Sequence, residues 1–512
     1  MALPRNTALI ASLLAASTLS MSAALPARAD GPARADLRAK DTFAVVWERL
    51  QASGFRGQHE GLDWAALKAE HQPDIENAAD IQSLRRELNE LLVDLKASHL
   101  VLLPNEAMAA SDTSSDDDPA DDDAGDNDTT HDPSENASTA QSGGSAPKSG
   151  HGDFGLRPTF VGGQLLVERV VPGSPAERAG VRPGWRLDGI GRLNASKAIA
   201  ALRELPPDGA RRGETMLLAT VLAILDLHSP GETAKLRLRD GQGRERALTL
   251  KADANPNIQS ITLPGLPPMP MRYAQRRIEL PGGGCAVQME FTQWAMPVFE
   301  KMVDTLREHG DCRGAVLDLR GNTGGLIASM SAVGGLFFDK PASLGTLTTG
   351  GGDIKLTALP RVVDTAGRDI RRFSGPVAIL IDQASISCSD MFPAGMQALG
   401  RARIFGVTSA GMALPAASTP LPSGDRLLYP IAEFVDPAGR RIEGIGTVPD
   451  QAVAPTAAAL SKGGDPILDA ALAWIGTGPE PHTAPLGAAA AAPSGAASTT
   501  NSPTTPRSGP TR

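Results

Sequence analysis

A short apolar run that leads directly into a serine-rich turn is the feature that most constrains this chain. Residues 377–381 have the length and composition of a buried strand, and the segment that follows has helical spacing as far as Gly400. Side chains at such a junction lie beside unpaired N–H groups at the start of the helix, which favour developing negative charge. The pattern therefore predicts a strand–turn–helix unit. Its residues Ser385, Ser387 and Ser389 are either turn and capping residues only, or include a nucleophile.

The N-terminus has the pattern of an export signal. Arg5 precedes an apolar run that begins at residue 8, and residues 27–29 form an A-x-A cleavage pattern. No later stretch approaches the ~18 unbroken apolar residues that a membrane span needs. We therefore expect residues 1–29 to be a signal peptide. The mature protein is expected to be exported, to the periplasm or out of the cell, with no membrane span.

The negative charge of the chain is concentrated in one segment. The net charge is -9, and residues 112–135 carry ten Asp and one Glu with no Lys or Arg. The remainder is close to neutral and lacks a basic stripe with interleaved aromatic residues, which argues against nucleic acid as a partner. Residues 106–150 contain almost no apolar residue and predict a disordered acidic linker, the alternative being weak calcium binding. Residues 477–512, rich in Ala, Pro, Ser and Thr, predict a disordered tail.

The cysteine count and the absence of ligand motifs limit the chemistry. Three cysteines are too few for a disulfide framework. Cys285 and Cys312 could pair in an oxidising compartment, and the alternative is that they are small buried hydrophobic residues. The sequence has no H-E-x-x-H, no C-x-x-C and no His/Asp cluster with ligand spacing. We therefore expect no metal and no other cofactor.

The 512 residues are enough for two or three domains, and their patterns divide the chain. Residues 30–105 have helical spacing and predict an N-terminal helical module. Residues 151–252 contain alternating strands, and residues 253–275 predict a Pro-rich connector. Strands and helices then alternate through residues 276–476, which predicts an α/β sheet core.

The part that is rich in strands resembles a PDZ domain. The resemblance rests on the string VVPGSPAERAGVRPGWRLDGI at residues 170–190, with GLR upstream. It implies a β-rich domain in which an extended peptide pairs with a sheet edge, while Gly155 and Leu156 offer N–H groups to the terminal carboxylate of the peptide. The chain departs from that family by an inserted apolar helix at residues 216–227. This insertion leaves open what borders the peptide groove.

Two further motifs resemble the tail-specific, C-terminal processing serine peptidases and their tricorn-core relatives. They are GAVLDLRGNTGG, which ends at Gly325, and ILIDQASISCSDMFPAGMQALGRARIFG at residues 379–406. The resemblance implies a ClpP/crotonase-like core of sheet and helices. It places Ser387 on the nucleophile and the N–H of Cys388 in the oxyanion hole, with Gly324 or Gly325 supplying the second donor.

The base is where the chain departs from the tail-specific branch. That branch uses a lysine in a T-F-G-K-G motif, and Met412 stands at the matching position here. A thioether cannot take up the proton. The tricorn branch uses histidine instead, and the resemblance to it implies the set Ser98, His99 and Glu443 beside Ser387. A neutral imidazole, with a pKa near ~6.5, is suited to accept a hydroxyl proton at neutral pH.

These patterns together predict an exported serine endopeptidase that acts on polypeptides, which the PDZ-like segment could present through their C-termini. The rival prediction is a catalytically silent relative that acts as a PDZ-containing peptide-binding or scaffold protein. A third alternative makes Cys388 the nucleophile. The oligomeric state does not follow from the sequence.

Overall fold

The computed structural model describes residues 37–52, 61–95, 97–106, 151–364 and 366–478. The predicted signal peptide, almost all of the predicted acidic linker and almost all of the predicted tail lie outside these ranges. Within them, no helix is both long and apolar enough to cross a bilayer.

The helices fall into three groups along the chain. The first group is α1 (Ala39–Ala52), α2 (Trp64–Glu76) and α3 (Ile81–Asp94). The second group is α4 (Pro175–Arg178), α5 (Ala195–Leu202) and α6 (Pro207–Asp226). The third group is α7 (Met296–Glu308), α8 (Ile327–Gly334), α9 (Cys388–Ala398), α10 (Ala457–Ser461) and α11 (Pro466–Gly476).

The strands form several sheets. Those before residue 262 are β1 (Val101–Leu103), β2 (Gly152–Asp153), β3 (Leu156–Val161), β4 (Gln164–Val170), β5 (Arg186–Ile190), β6 (Thr233–Arg239), β7 (Glu245–Lys251), β8 (Asp253–Ala254) and β9 (Ile258–Ile261). The following strands up to residue 381 are β10 (Met269–Glu279), β11 (Cys285–Phe291), β12 (Gly314–Asp318), β13 (Ala342–Thr349), β14 (Gly352–Ala358) and β15 (Val377–Ile381). The last strands are β16 (Arg403–Gly406), β17 (Ala416–Pro420), β18 (Arg426–Pro430), β19 (Glu433–Val435) and β20 (Gln451–Ala452).

Three helices make up most of the described chain before residue 107. The carboxylates of Asp63 and Asp80 accept backbone N–H groups in the first turns of α2 and α3, which explains where these helices begin. Apolar residues of all three helices form one core, and that core includes Leu427 of β18. β1 pairs with β18 in an antiparallel ladder that sets Val101 opposite Leu428. The N-terminal helices are therefore joined to the C-terminal half of the chain by both a ladder and a core.

A buried ion pair reinforces this junction. The guanidinium of Arg85 on α3 donates to both carboxylate oxygens of Asp425, with distances of 2.9 and 2.6 Å. Asp425 is fully buried and Arg85 is 5% exposed. The backbone N–H of Asn105 donates to the same carboxylate over 3.0 Å. A buried pair of this kind is costly to break, because removal of one partner leaves an uncompensated charge.

A five-stranded sheet occupies the middle of the chain, with strand order β3-β4-β5-β6-β7. α5 and α6 bury apolar residues against the same core as the sheet. The inserted helix is longer than the sequence pattern indicated, because it begins at Pro207, where the fixed φ of proline suits a first helical turn. β3 lies at the edge of the sheet, and α6 packs against it.

A seven-stranded sheet with order β20-β16-β15-β12-β11-β10-β9 forms the largest core. β11, β12, β15, β16 and β20 run parallel to one another. β10 pairs antiparallel with both of its neighbours, β11 and β9. Buried apolar residues cover both faces, with α7 and α9 on one side and α11 on the other. The segment interpreted as a Pro-rich connector, residues 253–275, contains β8, β9 and residues 269–275 of β10. β8 pairs with β2, β9 pairs with β10, and β10 pairs with β11, and no local pattern of the Pro-rich segment indicates these partners.

The two cysteines left open by the sequence are joined in the structure. Cys285 begins β11 and Cys312 precedes β12, and a disulfide links them with a Cα–Cα distance of 4.6 Å. The bond closes the connection that contains α7. Cys388 is a free, buried thiol.

Candidate active site

Ser387 lies between β15 and α9, as the strand–turn–helix pattern predicts, and its backbone is strained. It is the N-cap of α9 with φ 58° and ψ -117°. Only three non-glycine residues of the described chain have positive φ, and two of them are His99 and Ser387. Such conformations cost of order 1–3 kcal/mol and persist where the surroundings enforce them, which is common at functional sites. Ser385 and Ser389 are fully buried, whereas Ser387 keeps partial exposure.

The backbone N–H of Ser387 is held by the segment after β16. It donates to the carbonyl oxygen of Met412 over 2.8 Å and lies 3.2 Å from a carboxylate oxygen of Asp390. The Asp390 carboxylate also accepts the N–H groups of Gly411 and Met412, at 3.0 and 3.1 Å, and the hydroxyl of Ser409. Complete burial raises the pKa of Asp390 to about 7, against the lowering effect of these donors. Asp390 was not predicted from the sequence, although an acidic residue three positions after a helix N-cap is a recognised capping signal.

The glycine-rich loop lies against Ser387 on its other side. A Cβ added at Gly324 would lie 2.6 Å from the Cβ of Ser387, so this close approach requires glycine. A Cβ at Gly325 would meet the backbone of Trp294 at 2.2 Å. The N–H of Gly324 donates to the side-chain oxygen of Asn322 over 2.9 Å. Asn322, also missed by the sequence analysis, therefore engages one of the two candidate oxyanion donors, which leaves Gly325 as the better candidate.

Cys388 is the first residue of α9, directly after Ser387. The N–H of a first helical residue has no partner within its own helix, so it is available to an oxygen anion beside the helix start. The thiol lies 3.4 Å from the carbonyl oxygen of Gly325, and burial raises its pKa to about 12. A thiol held in that protonated form is a poor nucleophile, which argues against the alternative that Cys388 attacks the substrate.

Ser98, His99 and Glu443 lie together, although 345 positions separate Ser98 from Glu443. The Oγ of Ser98 is 2.9 Å from Nδ1 of His99 and donates to a carboxylate oxygen of Glu443 over 3.0 Å. Because the hydroxyl proton goes to Glu443, Oγ can only accept from Nδ1 of His99. The imidazole proton is then on Nδ1, which leaves Nε2 as the free acceptor that a general base requires.

The two halves of the site meet at adjacent residues of one segment. Met412 accepts the N–H of Ser387, and the N–H of Ala413 donates to Glu443 over 2.7 Å. Glu443 is 6% exposed, and burial raises its pKa. Among the described residues, His99 is hydrogen-bonded to Ser98, and no direct hydrogen bond joins His99 to Ser387. The segment of Met412 and Ala413 therefore connects Ser387 to Glu443 through backbone groups.

The protonation state of His99 is set by its surroundings. Burial, and after it the positive charge of Arg212, lowers the pKa of His99 to about 4. Arg212 lies on α6, and its guanidinium donates to the carbonyl oxygen of Ala97, two residues before His99. At neutral pH the imidazole is consequently uncharged and able to accept a proton.

An apolar cluster lies beside Ser387 at the position where a lysine was expected. Met412 is 8% exposed and packs with Ile386 and Ala410. Met216 and Ala219 of α6 cover this cluster. The buried thioether cannot act as a base. The place that a lysine would take is instead an apolar wall, and α6 forms part of it.

The two residues predicted to hold a substrate carboxylate lie in the loop before β3 and at its start. Gly155 donates its N–H to Asp153 Oδ1 over 2.8 Å, and Leu156 is 1% exposed. In this structure that N–H group is already bound by the chain itself.

Metal-ligand geometry is found at one place within the described ranges. Cys285, Asp311 and Cys312 bring their ligand atoms together, but the two sulfurs are bonded to each other. Sulfurs joined in a disulfide are not thiolate ligands, so this set does not suit a metal ion.

A strained serine at a helix start, a histidine tied to a carboxylate and nearby glycine N–H groups together are the parts that serine hydrolases use. Residues 287–453 match the model of peptidase family S41. The resemblance read from the motifs is thereby confirmed.

Curated relatives are C-terminal processing peptidases. One is the "Carboxyl-terminal-processing peptidase 2, chloroplastic" of Arabidopsis thaliana, 24% identical over 296 residues that cover 56% of this chain and 49% of the relative. Another is the "Carboxyl-terminal-processing protease" of Picosynechococcus sp., 25% identical over 285 residues that cover 53% of this chain and 66% of the relative. The chain thus spans between about half and two thirds of the length of these relatives.

Solved structures share the fold. The crystal structure of a CPAF mutant superposes with a TM-score of 0.52 at 12% identity, and the match covers 86% of this chain and 96% of that chain. This likeness supports the predicted multi-sheet α/β architecture. The PDZ character of residues 151–252 and the separate helical module stay predictions.

Proposed function

We propose that the chain is an exported serine endopeptidase of the tail-specific and tricorn-core kind, with His99 in place of a lysine as its base. The observation that carries the proposal is the hydrogen-bonded chain Glu443–Ser98–His99, which Met412 and Ala413 join to Ser387. The family match supports polypeptides as the substrate class.

In the proposed reaction Ser387 Oγ attacks a peptide carbonyl carbon while Nε2 of His99 takes up the hydroxyl proton. Glu443, through Ser98, fixes the tautomer and stabilises the imidazolium that forms. The N–H groups of Cys388 and of Gly324 or Gly325 stabilise the oxyanion. The imidazolium then protonates the leaving amine, and the C–N bond breaks to give an acyl-enzyme. Water, deprotonated by the same imidazole, attacks the ester and releases Ser387.

Two features support export. The N-terminal sequence pattern is that of a signal peptide, and the disulfide between Cys285 and Cys312 suits an oxidising compartment. N-terminal sequencing of the protein from a periplasmic or culture fraction should begin near residue 30. Recovery of the uncleaved chain from the cytosol only would contradict this part of the proposal.

The deciding experiment combines a covalent probe with a substrate. The purified mature protein should hydrolyse an unfolded polypeptide, and a fluorophosphonate probe should label it at Ser387. Ser387→Ala should abolish both, while Ser461→Ala, a hydroxyl removed from an exposed helix end, should leave both unchanged. Failure of both readouts in the wild-type protein would favour the silent, peptide-binding alternative.

A further inference from the structure

The loop that precedes β3 holds a carboxylate that belongs to the chain itself. Oδ1 of Asp153 accepts the N–H of Gly155 over 2.8 Å. Its Oδ2 accepts from Arg272 over 2.7 Å and from Asn255 over 2.8 Å. Asp153 is 9% exposed, and a Cβ at Gly155 would lie 2.1 Å from the side chain of Ser174. The N–H that a substrate carboxylate would need is therefore engaged in a closely packed loop.

The strand that follows the loop is buried along most of its length. β3 is the edge strand of its sheet, yet residues 156–160 are all buried. α6 packs against both β3 and α5, which places this helix in the cleft between the edge strand and the neighbouring helix. Leu218, Val221 and Leu225 of α6 share one core with Phe154 and Leu156. The start of β3 is therefore covered by α6.

Polar and aromatic contacts fasten the C-terminal end of α6 to the loop. Asp226 accepts from Arg157 of β3 over 2.9 Å and from Arg272 over 3.2 Å. Two residues later, the ring of His228 packs edge-on against Phe154 with centroids 4.8 Å apart, and its carbonyl accepts the N–H of Gly152 over 2.7 Å. The helix is thus tied to both the start of β3 and the carboxylate loop.

The N-terminal half of the same helix reaches the candidate active site. Arg211 donates to the carbonyl oxygens of Ala410, Gly444 and Ile445 at 3.3, 3.2 and 3.1 Å. Arg212 donates to the carbonyl oxygen of Ala97. The helix therefore joins the five-stranded sheet to segments on both halves of the site.

We propose that α6 and Asp153 are a built-in ligand of the five-stranded domain, so that the enzyme selects and cleaves polypeptides without using their C-terminal carboxylate. An incoming carboxylate would find the Gly155 N–H engaged and would face the negative charge of Asp153. A site that hydrogen-bonds a substrate group discriminates strongly against analogues that lack the group, and a site without free donors does not. The inference rests on the proposed peptidase function and defines its substrate class as internal bonds, irrespective of the chain end.

The test uses two internally quenched peptides of one sequence, one with a free C-terminal carboxylate and one with a C-terminal amide, and the mature full chain. The kcat/KM values are expected to agree within about twofold. A preference of about tenfold or more for the free acid would overturn the inference. If neither peptide nor an unfolded protein is cleaved and Ser387 does not react with a fluorophosphonate, the proposed function itself fails.

A binding measurement gives a readout without turnover. Fluorescence anisotropy of the same two peptides, labelled and titrated with the Ser387→Ala variant, should give equal affinities for acid and amide. An affinity about tenfold higher for the acid would show a usable carboxylate site and contradict the inference. Asp153→Asn removes the charge of this side chain. The ratio of the affinities for the acid and the amide peptide is expected to stay near one, because the side-chain oxygen of the asparagine still accepts the N–H of Gly155. A ratio that rises about tenfold in this variant would show that the charge of Asp153 alone, and not occupation of the site, excludes the carboxylate.

Discussion

The two halves of the proposed site are built from different kinds of contact. Ser387 is set by backbone features: a strained φ, a helix start, a close glycine and a main-chain carbonyl. His99 comes from the chain before residue 107 and is held by side chains, namely Ser98, Glu443 and Arg212. The proposed nucleophile is therefore positioned by local geometry, whereas the proposed base depends on long-range contacts.

This difference indicates which substitutions matter in each half. Backbone positioning survives the loss of most single side chains. A side-chain relay loses its function when any one member changes. The base half should therefore be the part that mutations and pH disturb most easily.

The largest effect is expected for the base itself. His99→Ala should lower kcat/KM by roughly three to six orders of magnitude, because without a base the serine cannot lose its proton in the attack. His309→Ala, which removes a histidine bonded to Gln275 away from the site, is the matched control and should stay near wild type. Near-normal activity of His99→Ala would show that another group is the base.

Glu443→Gln should come next, with a loss of about two to four orders of magnitude in kcat. The amide keeps the shape of the side chain, but it can donate to Ser98 Oγ and remove the constraint on the tautomer of His99. The KM should change little, since Glu443 is not expected to contact substrate. A loss within about threefold would mean that the relay is structural only.

Asp425→Asn tests how firmly the N-terminal helices are attached, without changing Ser98, His99 or Glu443. Removal of the charge that pairs with buried Arg85 should destabilise the N-terminal helices by about 3–5 kcal/mol. Urea unfolding followed by the fluorescence of Trp47 and Trp64 measures this. Glu106→Gln, the control that removes the more exposed partner of Arg85, should cost less than about 1 kcal/mol. Equal shifts for both variants would contradict the role given to the buried pair.

The smallest effect concerns pH. The pKa of His99 is lowered to about 4, so activity that needs neutral imidazole should fall as the pH decreases through that value. Arg212→Gln removes a positive charge that disfavours the imidazolium, and the acidic limb of the kcat/KM profile should therefore move to higher pH. Arg211→Gln keeps Arg212 and should leave the limb in place. An unchanged limb in Arg212→Gln would show that burial alone sets the pKa.

The lowered pKa of His99 also affects the stability of the folded chain. The unfolded chain binds a proton at His99 below about pH 6.5, while the folded chain does so only near pH 4. The contribution of this group to folding is consequently present above pH ~6.5 and is lost as the pH falls towards 4. Arg212→Gln should raise the pKa of His99 in the folded chain and so narrow the pH range over which this contribution is lost.

The sequence predicted the strand–turn–helix unit around Ser387 well because its signals are local. The apolar run that defines β15 ends at Ile381 in both the pattern and the structure. Asp390 and Asn322 escaped notice because a carboxylate or an amide that binds backbone groups looks, in sequence, like any turn residue.

The long-range contacts could not be predicted from the sequence for another reason. β9 pairs with β10, and β10 also pairs with β11, so these strands depend on partners that a local stretch of the Pro-rich sequence does not reveal. The contact of Ser98 with Glu443 was expected only through resemblance, since nothing in either segment alone points to the other. The length of α6 and its position beside β3 could likewise not be predicted from the sequence, because they depend on what the helix packs against.

The antiparallel ladder between β1 and β18 has a consequence for the integrity of the molecule. The covalent link from β1 to the rest of the protein passes through residues 107–150, but the ladder, the shared core and the Arg85–Asp425 pair bypass that link. A chain cut anywhere in residues 107–150 should therefore persist as a non-covalent two-chain enzyme. Co-elution of the two fragments with retained activity after limited proteolysis would show this, and separation of the fragments in native buffer would refute it.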